Sequence, residues 1–205
     1  MTGRRRAGLV MEALAERGRP FLARELAEYD VQRAWLRCIS PLIPVEKLAR
    51  GVYGPKGYPR TLIAAMRFRS SISCLYSALW LHGLLFEEPT PAWLCIEHKA
   101  RKPRIDPALP TQFVRTSRWP ASADVCELLT WGIPATSLAR TVLDFFRFRS
   151  RVGAHAPEVA LQIALASGNC TVEDVEACAQ RSGLVRWRPR PWRDPGPAFR
   201  VPRPL

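Results

Sequence analysis

Apolar residues recur at helical spacing along some stretches of the chain and alternate with polar ones along others. Val10, Ala13 and Leu14 face away from Glu12, Glu16 and Arg17, which predicts a short helix over residues 10–19, ended by Gly18 and Pro20. Phe21, Leu22 and Leu26 predict a second helical stretch from Phe21 to Ala27. Asp30 is placed to cap a third helix from Val31, where Val31, Ala34, Trp35, Cys38 and Ile39 follow the i, i+3, i+4, i+7, i+8 pattern of a buried face. Gln32, Arg33, Arg37 and Ser40 then lie on the outer face. From Pro44 to Gly54 two short β-prone pieces can pair around a tight connection, with Arg50, Gly51 or Gly54 near the bend or the strand ends. Three helices followed by a β-ribbon make a winged helix-turn-helix.

The run Pro55-Lys56-Gly57-Tyr58-Pro59 is short and rich in helix breakers, as a linker would be, so a second domain is expected to begin near Arg60. Ser73 to Leu81 reads as a helix ending at His82-Gly83, where glycine suits the left-handed cap. Trp93–Glu97 and Gln112–Thr116 read as strands, joined by a loop that carries Lys99, Arg101, Lys102 and Arg104. Glu127–Trp131 reads as another strand before Gly132-Ile133-Pro134. A helix is expected from Thr136, burying Leu138, Val142, Phe145 and Phe146 and pairing Arg140 with Asp144 at i, i+4 as a structural ion pair. A further helix spans about Ala156 to Ala166, and Thr171-Val-Glu-Asp174 resembles a capping box opening a helix through Gln180. The expected fold is therefore α+β. An N-terminal winged helix-turn-helix (residues 1–57) precedes a mixed α/β C-terminal domain (58–184) and an irregular Pro/Arg-rich tail (185–205).

Composition narrows the function classes. The 205 residues include 31 Lys plus Arg against 18 Asp plus Glu, a net charge of +13, with 47% hydrophobic residues, which favours a folded chain over a disordered one. The excess is segregated. Residues 1–60 carry 12 basic and 6 acidic residues, residues 61–184 carry 13 and 11, and residues 185–205 carry 6 and 1. Basic ends around a nearly neutral middle point to a polyanionic partner at those ends. Glu12, Glu16 and Arg17 interrupt any export segment after the basic start, and the apolar run Cys74–Phe86 is well short of the roughly 20 residues that span a bilayer. A cytoplasmic protein with no membrane partner is expected.

A helix entering the major groove needs guanidinium or amide side chains on its outer face and an apolar face behind. Gln32, Arg33 and Arg37 meet that need and are the candidate base-reading residues, with Ser40 beside them on the outer face as a further candidate DNA contact. Lys47 and Arg50 of the ribbon, and an N-terminal arm of Arg4, Arg5 and Arg6, are the candidate contacts to phosphate, which supply affinity without reading sequence. Lys56 and Arg60 could add to these contacts. The six cysteines (Cys38, Cys74, Cys95, Cys126, Cys170 and Cys178) contain no CxxC pair, and neither a zinc site nor a disulfide framework is expected. Asp144, Glu158, Glu173 and Asp174 are dispersed among cap and solvent positions, so no catalytic residue, metal or cofactor is assigned. His82, at an apolar helix end, is read as a packed or capping histidine.

Taken in order, Phe21-Leu-Ala-Arg-Glu-Leu26, Leu48-Ala-Arg-Gly-Val-Tyr53, Ser77-Ala-Leu-Trp-Leu-His-Gly83, Ile133-Pro-Ala-Thr136 and Ala139-Arg-Thr-Val-Leu-Asp144 resemble the AbiEi-like antitoxins of bacterial type IV toxin–antitoxin systems. The resemblance covers roughly residues 8–182. It implies a winged-helix transcriptional repressor that binds inverted repeats of duplex DNA in its own promoter, with two copies on the DNA. It also implies a C-terminal domain that counters a nucleotidyltransferase-like toxin. After Gly183 the chain departs from the family pattern, and six prolines in the last seventeen residues forbid a regular helix. This tail is either a basic arm, with Trp187 and Trp192 among its arginines, or the product of a truncation or reading-frame change. A stand-alone winged-helix regulator and a DNA-processing enzyme are the alternative readings.

Overall fold

The structure is a computed structural model that describes residues 3–16, 18–26, 31, 45–128 and 132–184. Among these the chain is mixed α and β, with two sheets. Helix α1 (Gly3–Glu16) comes first and buries Ala7, Met11 and Leu14. A three-stranded antiparallel sheet follows, built from β1 (Phe21–Leu22), β2 (Glu46–Ala49) and β3 (Val52–Gly54) in the order β1-β3-β2. Two expectations change here. Phe21 and Leu22 are strand, because each finds a partner on β3, Tyr53 and Val52 respectively, and Phe21 stacks on the Tyr53 ring with centroids 6.1 Å apart. The arginines Arg4, Arg5 and Arg6 belong to α1, which begins at Gly3, and do not form an extended arm.

The ribbon expected over residues 44–54 is β2–β3. Ala49 pairs with Val52, so Arg50-Gly51 is a two-residue turn, and Gly51 takes the left-handed position it requires, at φ 80°. The register shifts between Lys47 and Ala49, a bulge that sharpens the local twist of the ribbon. The backbone N–H of Ala23 donates to the Gly51 carbonyl at 2.9 Å and ties the end of β1 to this turn.

Helix α2 (Arg60–Arg67) leads into a five-stranded sheet with strand order β6-β5-β4-β8-β7. Its strands are β4 (Ile72–Ser73), β5 (Ala92–Glu97), β6 (Thr111–Thr116), β7 (Val125–Leu128) and β8 (Ile133–Thr136). Helix α3 (Leu75–Leu81) lies between β4 and β5, and four helices follow β8: α4 (Leu138–Arg147), α5 (Arg149–Val152), α6 (Ala156–Ala166) and α7 (Val172–Arg181). β4 is antiparallel to β5 and parallel to β8, β5 is parallel to β6, and β7 is antiparallel to β8.

Alternation along β5 sorts the two faces of this sheet. Ala92, Leu94 and Ile96 pack with Leu62, Ile63, Ala64 and Ala65 of α2 and with Ala49 and Val52 of the ribbon. Cys95 faces the other way, into a cluster with Leu75 and Leu79 of α3, Val142 and Phe145 of α4, Leu161 of α6 and Val175 of α7. The ribbon and α2 thus share one core across the 55–59 segment. The expected Thr171 cap is present in full: its hydroxyl accepts from the Asp174 N–H at 3.2 Å while Asp174 accepts from the Thr171 N–H at 2.9 Å.

One string occurs twice. Arg60-Thr61 and Arg67-Phe68-Arg69-Ser70, along α2 and just past its end, recur with the same spacing as Arg140-Thr141 and Arg147-Phe148-Arg149-Ser150, along α4 and into α5. Both helices end alike. Phe68 and Phe148 are the C-caps, each donating its N–H four residues back, and each ring carries its preceding guanidinium 5.2 Å from the centroid. The two helices occupy opposite faces of the five-stranded sheet.

Candidate nucleic-acid interface

Of the residues expected to contact DNA, Gln32, Arg33, Arg37 and Ser40 lie outside the described residues, as does the 185–205 tail. Arg4, Arg5 and Arg6 lie in the first turns of α1, with no acidic residue in the first turn to offset the positive end of the helix dipole, and Arg5 is exposed. Lys47 on β2 and Arg50 in the turn are exposed.

The structure brings Lys47 and Arg50 to one groove of about 470 Å³. Its far wall is the end of α2, with Met66, Arg67 and Arg69, and Arg24 after β1 completes it. Arg24 and Arg69 are exposed, and Arg69 forms no ion pair with a described residue. Arg67 is mostly buried and donates from Nη1 to Asp106 Oδ2 at 2.8 Å. That bond holds the Asp106 carboxyl below its usual range, assisted by the N–H of Ala108 and by the charges of Arg67 and Lys47. Five cations therefore converge on a space whose lining, among the described residues, contains no carboxylate, with Asp106 bonded to one of them, Arg67. A larger cleft of about 740 Å³ adjoins the groove through Leu22, Met66 and Arg69, and Arg19 and Trp119 border it.

Arg24, Arg67 and Arg69 were not singled out by sequence reasoning. Arg24 falls in a segment that reads as helix, and the other two fall beyond the linker in a nearly neutral region. The available signal was the doubled Arg-Phe-Arg-Ser string, in which the acidic neighbours of the second copy, Asp144 and Glu158, have no counterpart near the first in the chain.

The remaining singled-out residues serve the scaffold. His82 caps α3, and its Nε2 lies 2.8 Å from the Thr136 carbonyl, tying the helix end to β8. Cys126 Sγ is 3.8 Å from the same nitrogen, and burial pushes this thiol up, away from the thiolate a nucleophile needs. Ser77 accepts the Trp93 N–H at 2.7 Å. Arg140 and Asp144 pair at 3.0 Å, both 1% exposed, as expected of a structural ion pair. Burial pushes the Asp144 carboxyl up while Arg140 and Arg147 pull it down. The described cysteines are free thiols, four of them buried. Among the described residues no group of three or more His, Cys, Asp or Glu side chains is placed to hold a metal, and no helix is long and apolar enough to cross a membrane.

No family model matches the chain, and no curated protein matches it. Among solved structures it is similar to the crystal structure of the RV2827C protein from Mycobacterium tuberculosis, at 17% sequence identity and a TM-score of 0.54, over 90% of this chain and 76% of that one. At that identity the likeness concerns the fold alone: the two chains share a mixed α and β architecture.

Proposed function

We propose that this chain is a DNA-binding transcriptional repressor and the antitoxin of a type IV toxin–antitoxin pair, acting in the cytoplasm without catalysis of its own. In this reading residues 1–57 form a winged helix-turn-helix, Gln32, Arg33 and Arg37 read base edges with Ser40 beside them at the DNA, and Lys47, Arg50 and Arg4 to Arg6 hold phosphates. The observation that carries the DNA half is the exposed Lys47 and Arg50 on a twisted ribbon at the rim of a cationic groove. Phosphate neutralisation by such side chains dominates affinity for duplex DNA. The antitoxin half rests on the resemblance of the 77–83, 133–136 and 139–144 strings. Their side chains knit β4, β5, β8 and α4 together, so they speak for a shared scaffold and leave the toxin to be identified by its gene.

Two measurements test the reading. Gel-shift binding of the full chain to the DNA upstream of its gene should outcompete an unrelated duplex and weaken steeply with salt. Arg33→Ala and Arg37→Ala should lower that preference by about 1–3 kcal/mol each if they contact bases. Retention of full preference by both variants overturns the recognition-helix assignment. Co-expression with a neighbouring nucleotidyltransferase-like gene should relieve its toxicity, and failure to do so leaves a stand-alone regulator.

A further inference from the structure

We propose that the groove between the β2–β3 turn and the end of α2 is a phosphate clamp for duplex DNA, in which Arg67 and Arg69 grip the same backbone stretch as Lys47 and Arg50. The inference rests on the DNA-binding reading and extends it: the protein surface on DNA is not confined to residues 1–57.

Three observations carry it. The groove is lined by five cations from three separate segments of the chain, a convergence that only tertiary packing produces. Each pair of like charges held this way costs free energy unless an anion offsets it. The doubled string supplies an internal control. In the later copy both arginines are matched with acids, Arg147 at the end of α4 with Asp144 at 2.7 Å and Arg149 at the start of α5 with Glu158 at 3.0 Å. In the earlier copy only Arg67 is matched, with Asp106, and Arg69, just past α2, has no ion-pair partner among the described residues. The wall is also rigid, because Leu62, Ala64 and Ala65 of α2 share a core with Ala49 and Val52 of the ribbon. Fixed spacing suits a repeating phosphate backbone. Asp106 then acts as an intramolecular competitor, occupying Arg67 until a phosphate displaces it.

The test uses the full chain and a short labelled duplex of arbitrary sequence, so that base reading plays no part. Binding is followed by fluorescence anisotropy across a salt series. Arg69→Ala should reduce the slope of log K against log salt by about 0.9, the value of one phosphate contact, and Arg149→Ala should leave it unchanged. Asp106→Asn should tighten binding by roughly threefold at low salt, since Arg67 no longer exchanges one anion for another. Arg67→Gln should weaken binding, with a melting curve confirming that the variant folds. An unchanged slope in Arg69→Ala together with unchanged affinity in Asp106→Asn overturns the clamp while leaving a DNA-binding protein. No binding to any duplex overturns both readings. Tighter binding to a single strand of the same length would remove duplex DNA as the occupant.

Discussion

Helices α2 and α4 carry the same arginine-rich string on opposite faces of one sheet, yet they spend it differently. In α4 the first arginine is fully buried: Arg140 donates from Nε to Asp144 at 3.0 Å, from Nη1 to Ser182 Oγ at 3.1 Å and from Nη2 to the Arg118 carbonyl at 2.6 Å. Arg147 closes the ring from the other side, to Asp144 at 2.7 Å and Thr116 Oγ1 at 2.9 Å. The end of β6, α4 and the end of α7 are thereby joined through charged, directional bonds. In α2 the position of Asp144 is taken by Ala64, fully buried against β5, and Arg60 is exposed. Without an acid within the helix, Arg67 and Arg69 turn to the groove. At the centre of that difference stands one position, aspartate in α4 and alanine in α2, with Glu158 as the second acid that only the later copy has.

The largest effect should come from breaking the α4 network. Asp144→Ala leaves two guanidiniums facing each other in the interior, and the loss of stability measured by denaturant unfolding should be about 3–5 kcal/mol. Loss of the α2 counterpart of Arg140, Arg60→Ala, should stay within about 0.5 kcal/mol, as for an exposed side chain, where Arg140→Ala should cost as much as Asp144→Ala. Equal losses would erase the distinction between the helices.

A smaller effect sharpens the role of that one position. Ala64→Asp places the α4 carboxylate in α2, in an apolar cluster that includes Leu94, Ile96 and Phe113. A buried carboxyl so placed should cost about 3 kcal/mol and shift toward its neutral form. If the variant is as stable as the parent, Arg60 and Arg67 have rebuilt the network, and the difference between the helices lies in sequence alone.

The smallest effect concerns pH. Asp106 has its carboxyl lowered by Arg67, so its contribution to stability is fully present above the ordinary carboxylate pKa of about 4 and is lost as pH falls through its lower folded value. Stability should therefore show no loss from this pair between neutral pH and about 5 in a series of melting curves. Asp106→Asn should lose the contribution of the pair at neutral pH, so that parent and variant differ there and converge as the pH falls below about 4. Equal stability of the two at neutral pH, or a difference that persists in acid, would show that the carboxylate of Asp106 is not what the pair contributes.

Legibility followed the range of the interactions. The helices at 75–81, 138–147, 156–166 and 172–181 were readable because spacing and caps are local: Ser137 accepts the Arg140 N–H at 3.2 Å, and Thr171 and Asp174 close their box within four residues. The Arg50-Gly51 turn was readable for the same reason. β1 was not, since Phe21 and Leu22 become strand only through Val52 and Tyr53, thirty residues on. β8 was hidden by Pro134, which reads as a breaker, although its neighbours Ile133 and Ala135 pair with Leu128 and Cys126. Of the cationic groove, Lys47 and Arg50 stand out by their place on a predicted ribbon. Arg24, Arg67 and Arg69 do not, because no local pattern distinguishes an arginine facing a groove from one facing open water.

By itself, then, the sequence determined the local vocabulary of this protein: which segments are helical, where they are capped, where the ribbon turns, and that the positive charge concentrates toward the ends. Tertiary structure decided which of two copies of one string became core and which became surface, and that cations from three segments share one groove. The physical reason is that helix spacing, capping and turns act over a few residues. Burial of a charge and convergence of like charges depend on partners that only the packed chain brings within reach, as Arg67 and Asp106 meet at 2.8 Å across 39 residues of sequence.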